Sequence, residues 1–97
     1  MGYRQSPLIH NKERIYLHKS EDIDVYTEYI LGEVSYRYQN DIAADTFIVL
    51  EGSIELTIEG SISPFHKGGV IDIDKGTHHG PISSRDGAML LVIHRRK

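Results

Sequence analysis

The sequence predicts an all-β fold with little or no helix, and three observations support that prediction. Polar and apolar side chains alternate with a period of two along much of the chain from Ile23 to His94, which is the pattern of strands with one buried face. No stretch keeps apolar residues at helical spacing over three turns. Turn sequences containing glycine recur roughly every 8–12 residues, the spacing of short strands in a sandwich or barrel.

The first strong alternation predicts two consecutive strands. Between residues 23 and 31, one strand face carries Ile23, Val25, Thr27, Tyr29 and Leu31. Gly32 ends that strand, and the next one carries Val34, Tyr36, Tyr38 and Asn40 on one face. We expect these side chains to share faces because successive residues of a strand point to opposite sides.

Later segments are of two kinds. Ile54, Leu56 and Ile58 alternate with polar residues and predict a half-buried strand. The segments 46–50 and 88–93 are instead apolar on both faces. Such continuous runs are typical of strands that are covered from both sides.

The 97 residues predict a single domain. We expect a barrel over residues 23–94, preceded by N-terminal edge strands in residues 1–20 that include Leu8-Ile9 and Ile15-Tyr16-Leu17. Apolar edge strands favour pairing with a second copy of the chain, so a homodimer that uses this N-terminal region is expected.

Composition excludes several classes of function. The formal charge is −3, which argues against a nucleic-acid-binding module, because such modules carry an excess of basic residues. Cysteine is absent, so disulfides, thiolate metal ligands and thiol nucleophiles are excluded. No apolar run reaches the ~18–20 residues of a membrane span, and no signal-peptide core is present at the start. A cytoplasmic location without membrane association is therefore expected.

Two stretches carry spacings that belong to a known pair of motifs. The first motif has a glycine, two histidines one residue apart, an acidic residue and a second glycine. Its positions are taken here by Gly32, Tyr38, Asn40, Asp45 and Gly52, with every interval kept. The second motif has a glycine, a proline, a glycine and a histidine. Its positions are taken by Gly68, Asp74, Gly76 and His79. In these spacings, over roughly residues 23–93, the chain resembles the small single-domain members of the cupin superfamily.

The resemblance implies a double-stranded β-helix, or jelly-roll barrel, with a pocket between two antiparallel sheets. In the family, three histidines and a carboxylate usually hold a transition metal. Carried over to this chain, those positions hold Tyr38, Asn40, Asp45 and His79. Only one histidine is kept, tyrosine is a neutral phenol at pH 7, and an asparagine oxygen is a weak ligand. We therefore expect a largely lost metal site and no cofactor, and if a divalent transition metal binds, His79 and Asp45 hold it.

The same positions define the candidate ligand site. We expect the side chains of Tyr38, Asn40, Asp45 and His79 to meet inside the barrel, with Tyr36 narrowing the pocket and Phe47 lining it. The predicted function is binding of a small polar metabolite such as a sugar or a carboxylate. The alternative is a cupin enzyme: either acid–base chemistry of the sugar isomerase or epimerase type, with His79 as base, Asp45 orienting it and Tyr38 as acid, or a weak metal-dependent activity of His79 and Asp45.

Two further interpretations stay open at the level of sequence. The polar residues could satisfy one another while the N-terminal strands bind another protein, which would leave the pocket idle. His78 and His79 should point to opposite faces if their strand is regular. The faces of His66 and His94 are not fixed by the sequence, and half-exposed strand positions are the simpler expectation for both. His10 and His18 are expected at the surface.

Overall fold

The computed structural model describes residues 4–5, 14–36 and 44–96, and none of these residues is helical. Their strands, in chain order, are β1 (Arg4–Gln5), β2 (Arg14–Lys19), β3 (Ile23–Ile30), β4 (Val34–Tyr36), β5 (Ala44–Ile58), β6 (Ser61–His66), β7 (Val70–Ile73), β8 (His79–Ser84) and β9 (Ala88–Arg95). The predicted all-β fold is confirmed. The described residues contain no helix of the length and apolarity that crossing a membrane requires.

The strands form two sheets that share one long strand. Sheet A contains β1, β4, β8, β6 and the second half of β5. Sheet B contains β2, β3, β9, β7 and the first half of β5. Within the described ranges, the strand pairings are antiparallel except that of β1 with β4. Strand β2 is the last strand on its side of sheet B in the described part of the chain.

Strand β5 passes from one sheet to the other through an irregularity next to Gly52. The register with β9 shifts between Val49 and Glu51, and Gly52 has φ = +80°. An ideal Cβ at Gly52 would lie 2.4 Å from the carbonyl oxygen of Gly87, so only glycine fits this crossing. The extra residue also reverses the alternation: odd-numbered residues face inward before Gly52 and even-numbered residues face inward after it.

The core lies between the inner faces of the two sheets. Its largest fully buried apolar side chains come from both halves of β5 and from β3, β8 and β9, and they include Phe47, Ile30, Ile54, Leu56, Ile82 and Leu90. The predicted half-buried alternation of Ile54, Leu56 and Ile58 is confirmed, because the first two are buried and the polar Ser53 and Glu55 are exposed.

The apolar side of β3 turned out to be its outer one. Tyr26, Glu28 and Ile30 face the core, while Ile23 and Tyr29 on the other face are 37% and 36% exposed. Similarly, segments 46–50 and 88–93 are covered chiefly on their inner face. The outward-facing Thr46 is also buried, but Ile48, Leu91 and Ile93 are only half-buried. The expectation of cover on both sides was therefore wrong for the single chain, because no second layer of this domain lies against the outer face of sheet B among the described residues.

Candidate functional site

A row of polar side chains crosses the inner face of sheet B at the end where β5 begins. Asp24 of β3 lies opposite His94 of β9, and His94 lies opposite Asp45 of β5. Directly opposite side chains on one face of antiparallel strands have Cβ atoms ~4.5–5.5 Å apart. The strand register therefore brings together three residues that are far apart in sequence.

Asp45 and His94 form the tightest contact in this row. Nδ1 of His94 lies 2.6 Å from Oδ1 of Asp45, and the side chains are 23% and 2% exposed. Because a carboxylate only accepts, the Nδ1–H of His94 donates, which leaves Nε2 of a neutral ring as an acceptor. The carboxylate thus fixes the tautomer and the orientation of a partly accessible imidazole.

His79 approaches the same carboxylate from sheet A. Its Nε2 lies 3.7 Å from Oδ2 of Asp45, and its side chain is fully buried. Its Nδ1 lies 3.2 Å from the carbonyl oxygen of Thr77, and a carbonyl can only accept, so Nδ1 carries a proton. The ring of Phe47 packs edge-on against this imidazole at 6.2 Å between centroids. His79 therefore turns Nε2 towards Asp45.

These contacts place three of the sequence-predicted site residues together: Asp45, Phe47 and His79. Tyr38 and Asn40 lie outside the described residues, as does the N-terminal segment Leu8-Ile9 with His10. Tyr36 belongs to β4, and its side chain is not among those that the structure describes. The expectation that all these side chains line one ligand pocket stays a prediction.

His94 is the site residue that the sequence did not single out. In the sequence, His94 shares a strand face with Val92 and Leu90, which are buried. The sequence does not show which face of β9 turns inward, because that depends on the pairing of His94 with Asp45. The other histidines that the structure describes lie elsewhere. His66 is exposed and bonds Ser53 at 2.9 Å, and His18 and His78 are exposed.

The third residue of the row, Asp24, forms an ion pair with Arg96. Nη1 of Arg96 lies 2.8 Å from Oδ2 of Asp24, and the two side chains are 35% and 14% exposed. The hydrogen bond and the positive charge of Arg96 hold the pKa of Asp24 below its ordinary value, although desolvation acts in the opposite direction. This carboxylate stays ionised and keeps the C-terminal end of β9 beside β3.

A second buried acid, Glu28, lies further along the inner face of β3. It is 1% exposed, and its Oε1 lies 3.5 Å from Nε of Arg14 on β2. The guanidinium of Arg14 stacks over the ring of Tyr26 at 4.4 Å, and Tyr26 packs against Tyr16 at 5.1 Å between centroids. A buried acid requires a paired cation, so this contact ties the edge strand β2 to the interior of sheet B. The sequence pattern does not reveal this ion pair, because the apolar residues of β3 lie on the opposite face.

The donor set does not fit a three-ligand metal centre within the described residues. No group of three or more His, Cys, Asp or Glu side chains there is placed to hold a metal ion. Oδ1 of Asp45 already accepts from Nδ1 of His94. We therefore derive no metal-dependent step, and the loss of the metal site stays a prediction.

Comparison with solved structures shows the cupin fold. A cupin superfamily protein from Desulfitobacterium hafniense superimposes with a TM-score of 0.80 at 13% identity, over 87% of this chain and 76% of that one. The cupin domain of Schizosaccharomyces pombe Cnp3 gives 0.77 at 18% identity, over 87% of this chain but only 60% of that one. A cupin-2 domain protein from Shewanella frigidimarina gives 0.72 at 17% identity, over 86% and 79% of the two chains. No protein-family model and no curated protein matches the chain by sequence.

Proposed function

We propose that this cupin-fold protein binds a small polar metabolite, such as a sugar or a carboxylate, beside Asp45. One observation carries the proposal: the carboxylate of Asp45 lies between two imidazoles, with His94 at 2.6 Å and His79 at 3.7 Å. Polar groups are costly to bury in an otherwise apolar core. Ligand pockets combine apolar walls with a few convergent polar groups of this kind.

The chemistry of the three groups suits hydroxyl-rich ligands best. One sugar hydroxyl can donate to the carboxylate of Asp45 while a neighbouring hydroxyl donates to an imidazole nitrogen. A ligand carboxylate would instead need a protonated histidine as its partner, because Asp45 repels it. We therefore expect neutral sugars to bind more strongly than organic acids.

The exposures of the side chains indicate the side from which a ligand would enter. His94 is 23% exposed and Asp24 is 14% exposed, whereas Asp45 and His79 are almost completely buried. A ligand would enter past the outer pair and place its polar atoms against the inner pair. Phe47, which is 0% exposed, supplies an apolar wall next to His79.

Thermal denaturation against a panel of sugars, nucleotide sugars and organic acids tests the proposal. A ligand at about 100 times its Kd adds about 2.7 kcal/mol of stability, which raises the Tm of a domain of this size by roughly 10 °C or more. Asp45→Asn keeps the shape of the side chain but removes its charge, and should abolish the shift. Glu55→Gln, on the exposed side of the same strand, should leave it unchanged.

Two results would contradict the proposal. The first is a panel without any compound that raises the Tm. The second is a compound that stabilises the Asp45→Asn variant as much as the unmodified protein, because such a compound binds somewhere else.

Acid–base catalysis is a second candidate function, and the contact between His94 and Asp45 favours it. A buried carboxylate that accepts the Nδ1–H of an imidazole makes Nε2 the nitrogen that can take up a proton, as in catalytic dyads. This geometry favours His94 as the base over His79. In an isomerase or epimerase of sugar-like compounds, that base would remove a proton from the carbon next to a carbonyl group and return a proton from solvent to the same or the adjacent carbon.

Deuterium exchange separates the catalytic candidate from simple binding. If the protein catalyses this step, NMR in D2O should show exchange of the carbon-bound proton in a compound that binds, and His94→Gln should stop the exchange without abolishing binding. His66→Gln is the control, since His66 lies on an exposed strand position. Binding without exchange would exclude this candidate for that compound.

A further inference from the structure

The turn between β8 and β9 contains an aspartate that is followed directly by a glycine, Asp86-Gly87. The chain has seven aspartates, and the other six are followed by isoleucine, valine, threonine or lysine. An aspartyl peptide bond rearranges most readily before glycine, because glycine places no side chain over the backbone nitrogen that attacks the carboxyl group. Asp86 is also exposed, so its carboxyl group can rotate towards that nitrogen. Sequence and exposure therefore single out Asp86 as a site of backbone chemistry.

The fold requires the glycine that makes this pair reactive. Gly87 has φ = +101°, a backbone conformation that residues with a side chain rarely adopt. A Cβ at this position would also lie 2.5 Å from the phenol oxygen of Tyr29 on β3. Because a larger residue would clash there, the packing of the turn against β3 keeps a labile Asp-Gly pair in the chain.

The hydroxyl of Ser84 binds the nitrogen of the same pair. The backbone N–H of Gly87 donates to Oγ of Ser84 at 3.0 Å, and that hydroxyl in turn donates to the carbonyl oxygen of Ser53 at 2.6 Å. Ser84 is 2% exposed, so water competes little for these two bonds. The bond to Ser84 keeps the proton of the Gly87 nitrogen engaged and directs that nitrogen away from attack on the carboxyl group of Asp86.

We propose that Asp86 is the site of isoaspartate formation in this chain, and that the Ser84 hydroxyl slows the reaction in the folded protein. The backbone nitrogen of Gly87 loses its proton and bonds to the side-chain carboxyl carbon of Asp86, and one water molecule leaves. Water then opens the resulting cyclic imide. When the bond between this nitrogen and the main-chain carbonyl carbon breaks, the chain continues through the former side chain as isoaspartate. The water that was lost is regained, so the net reaction consumes no reagent.

The turn has no room for the isoaspartate product, which adds one carbon atom to the backbone. A Cβ at Gly32 would lie 2.9 Å from the carbonyl oxygen of Arg85. A Cβ at Gly52 would lie 2.4 Å from the carbonyl oxygen of Gly87. Because backbone packs against the turn on both of these sides, a longer turn must displace Gly87 from Ser84 or separate these contacts. We therefore expect the isoaspartate form to have a lower Tm than the aspartate form.

Incubation of the folded protein at neutral pH, followed by electron-transfer fragmentation of its peptides, tests the proposal, because this fragmentation distinguishes isoaspartate from aspartate. We expect isoaspartate at Asp86 and much less at Asp74, which is also exposed but precedes lysine. Ser84→Ala should raise the rate at Asp86 by about fivefold or more, as expected for the loss of a typical hydrogen bond. Faster accumulation of isoaspartate at another aspartate, or an unchanged rate in Ser84→Ala, would overturn the proposal.

Ile82→Val is the matched control. It removes one methyl group from the same buried face of β8, which lowers the free energy of unfolding but keeps the Ser84 hydroxyl. Its rate of isoaspartate formation should match that of the unmodified protein. If Ile82→Val and Ser84→Ala accelerate the reaction equally, the proposed role of Ser84 is wrong, because a general loosening of the fold would explain both.

A comparison of the unmodified protein in its folded state and unfolded in urea supplies a measurement that does not depend on how the variants fold. Unfolding breaks the bond between Gly87 and Ser84, so the reaction at Asp86 should be several-fold faster in urea. Equal rates in the folded and the unfolded chain would contradict the proposal.

Discussion

The two sheets of this protein distribute polarity in opposite ways, although one strand runs through both. In sheet B, β5 turns Ile48 and Leu50 outward and the buried Asp45 inward. In sheet A, the same strand turns Ser53 and Glu55 outward and Ile54 inward. Along β5, sheet B thus combines apolar residues outside with a buried acid inside, whereas sheet A combines polar residues outside with an apolar residue inside.

Strand β5 exchanges its inward and outward faces at Gly52. Substitution of this glycine should have the largest effect on stability. Gly52→Ala combines a positive φ with a Cβ 2.4 Å from the oxygen of Gly87, and should cost about 3 kcal/mol or more of the free energy of unfolding. Gly60→Ala has a similar φ of +84° but nothing within 4 Å, and should cost only about 1–2 kcal/mol. Chemical denaturation measures both. Equal losses would mean that close contact at the crossing is not what demands glycine.

The next largest effect is expected when the carboxylate of Asp45, on the inner face of sheet B, is replaced. Asp45→Asn weakens a buried contact with His94 at 2.6 Å, and should cost about 1–3 kcal/mol in urea denaturation. Glu55→Gln, which changes an exposed acid of the same strand, should stay within about 0.5 kcal/mol. If both variants lose equal stability, the inner and outer acids of β5 do not differ in the way proposed.

The smallest effect is expected for the ion pair between Asp24 and Arg96. Since Arg96 lowers the pKa of Asp24 from 3.8, the pair stabilises the protein above that pH and loses this contribution as the pH falls through the lowered value. Arg96→Gln should therefore lower the Tm near neutral pH, and the difference should shrink below about pH 4. A difference that stays constant into acid would mean that the contact acts through packing instead of charge.

The sequence predicted the fold well because alternation and glycine spacing are local signals. They identified the strand around Ile54 and Leu56, and the motif spacing indicated the cupin fold. They also predicted a turn at Glu51-Gly52, where β5 instead runs on without interruption. The site was harder to predict. Asp45 and His79 came from the motif, but His94 and Glu28 depend on which face of a strand turns inward, and that face is set by pairing between distant strands. The one-sided cover of 46–50 and 88–93 could not be predicted because an apolar run looks the same whether its second layer is its own chain or a partner.

The most direct test of ligand binding is an NMR titration of the histidine ring nitrogens with the compound that raises the Tm most. The chain has 6 histidines, so each imidazole signal can be assigned by substituting one histidine at a time. The proposed site predicts that the signals of His79 and His94 shift together with saturation, while those of the exposed His66 and His78 stay in place. Ligand-induced shifts confined to the exposed histidines would contradict binding beside Asp45. So would shifts of His79 and His94 in Asp45→Asn that are as large as those in the unmodified protein.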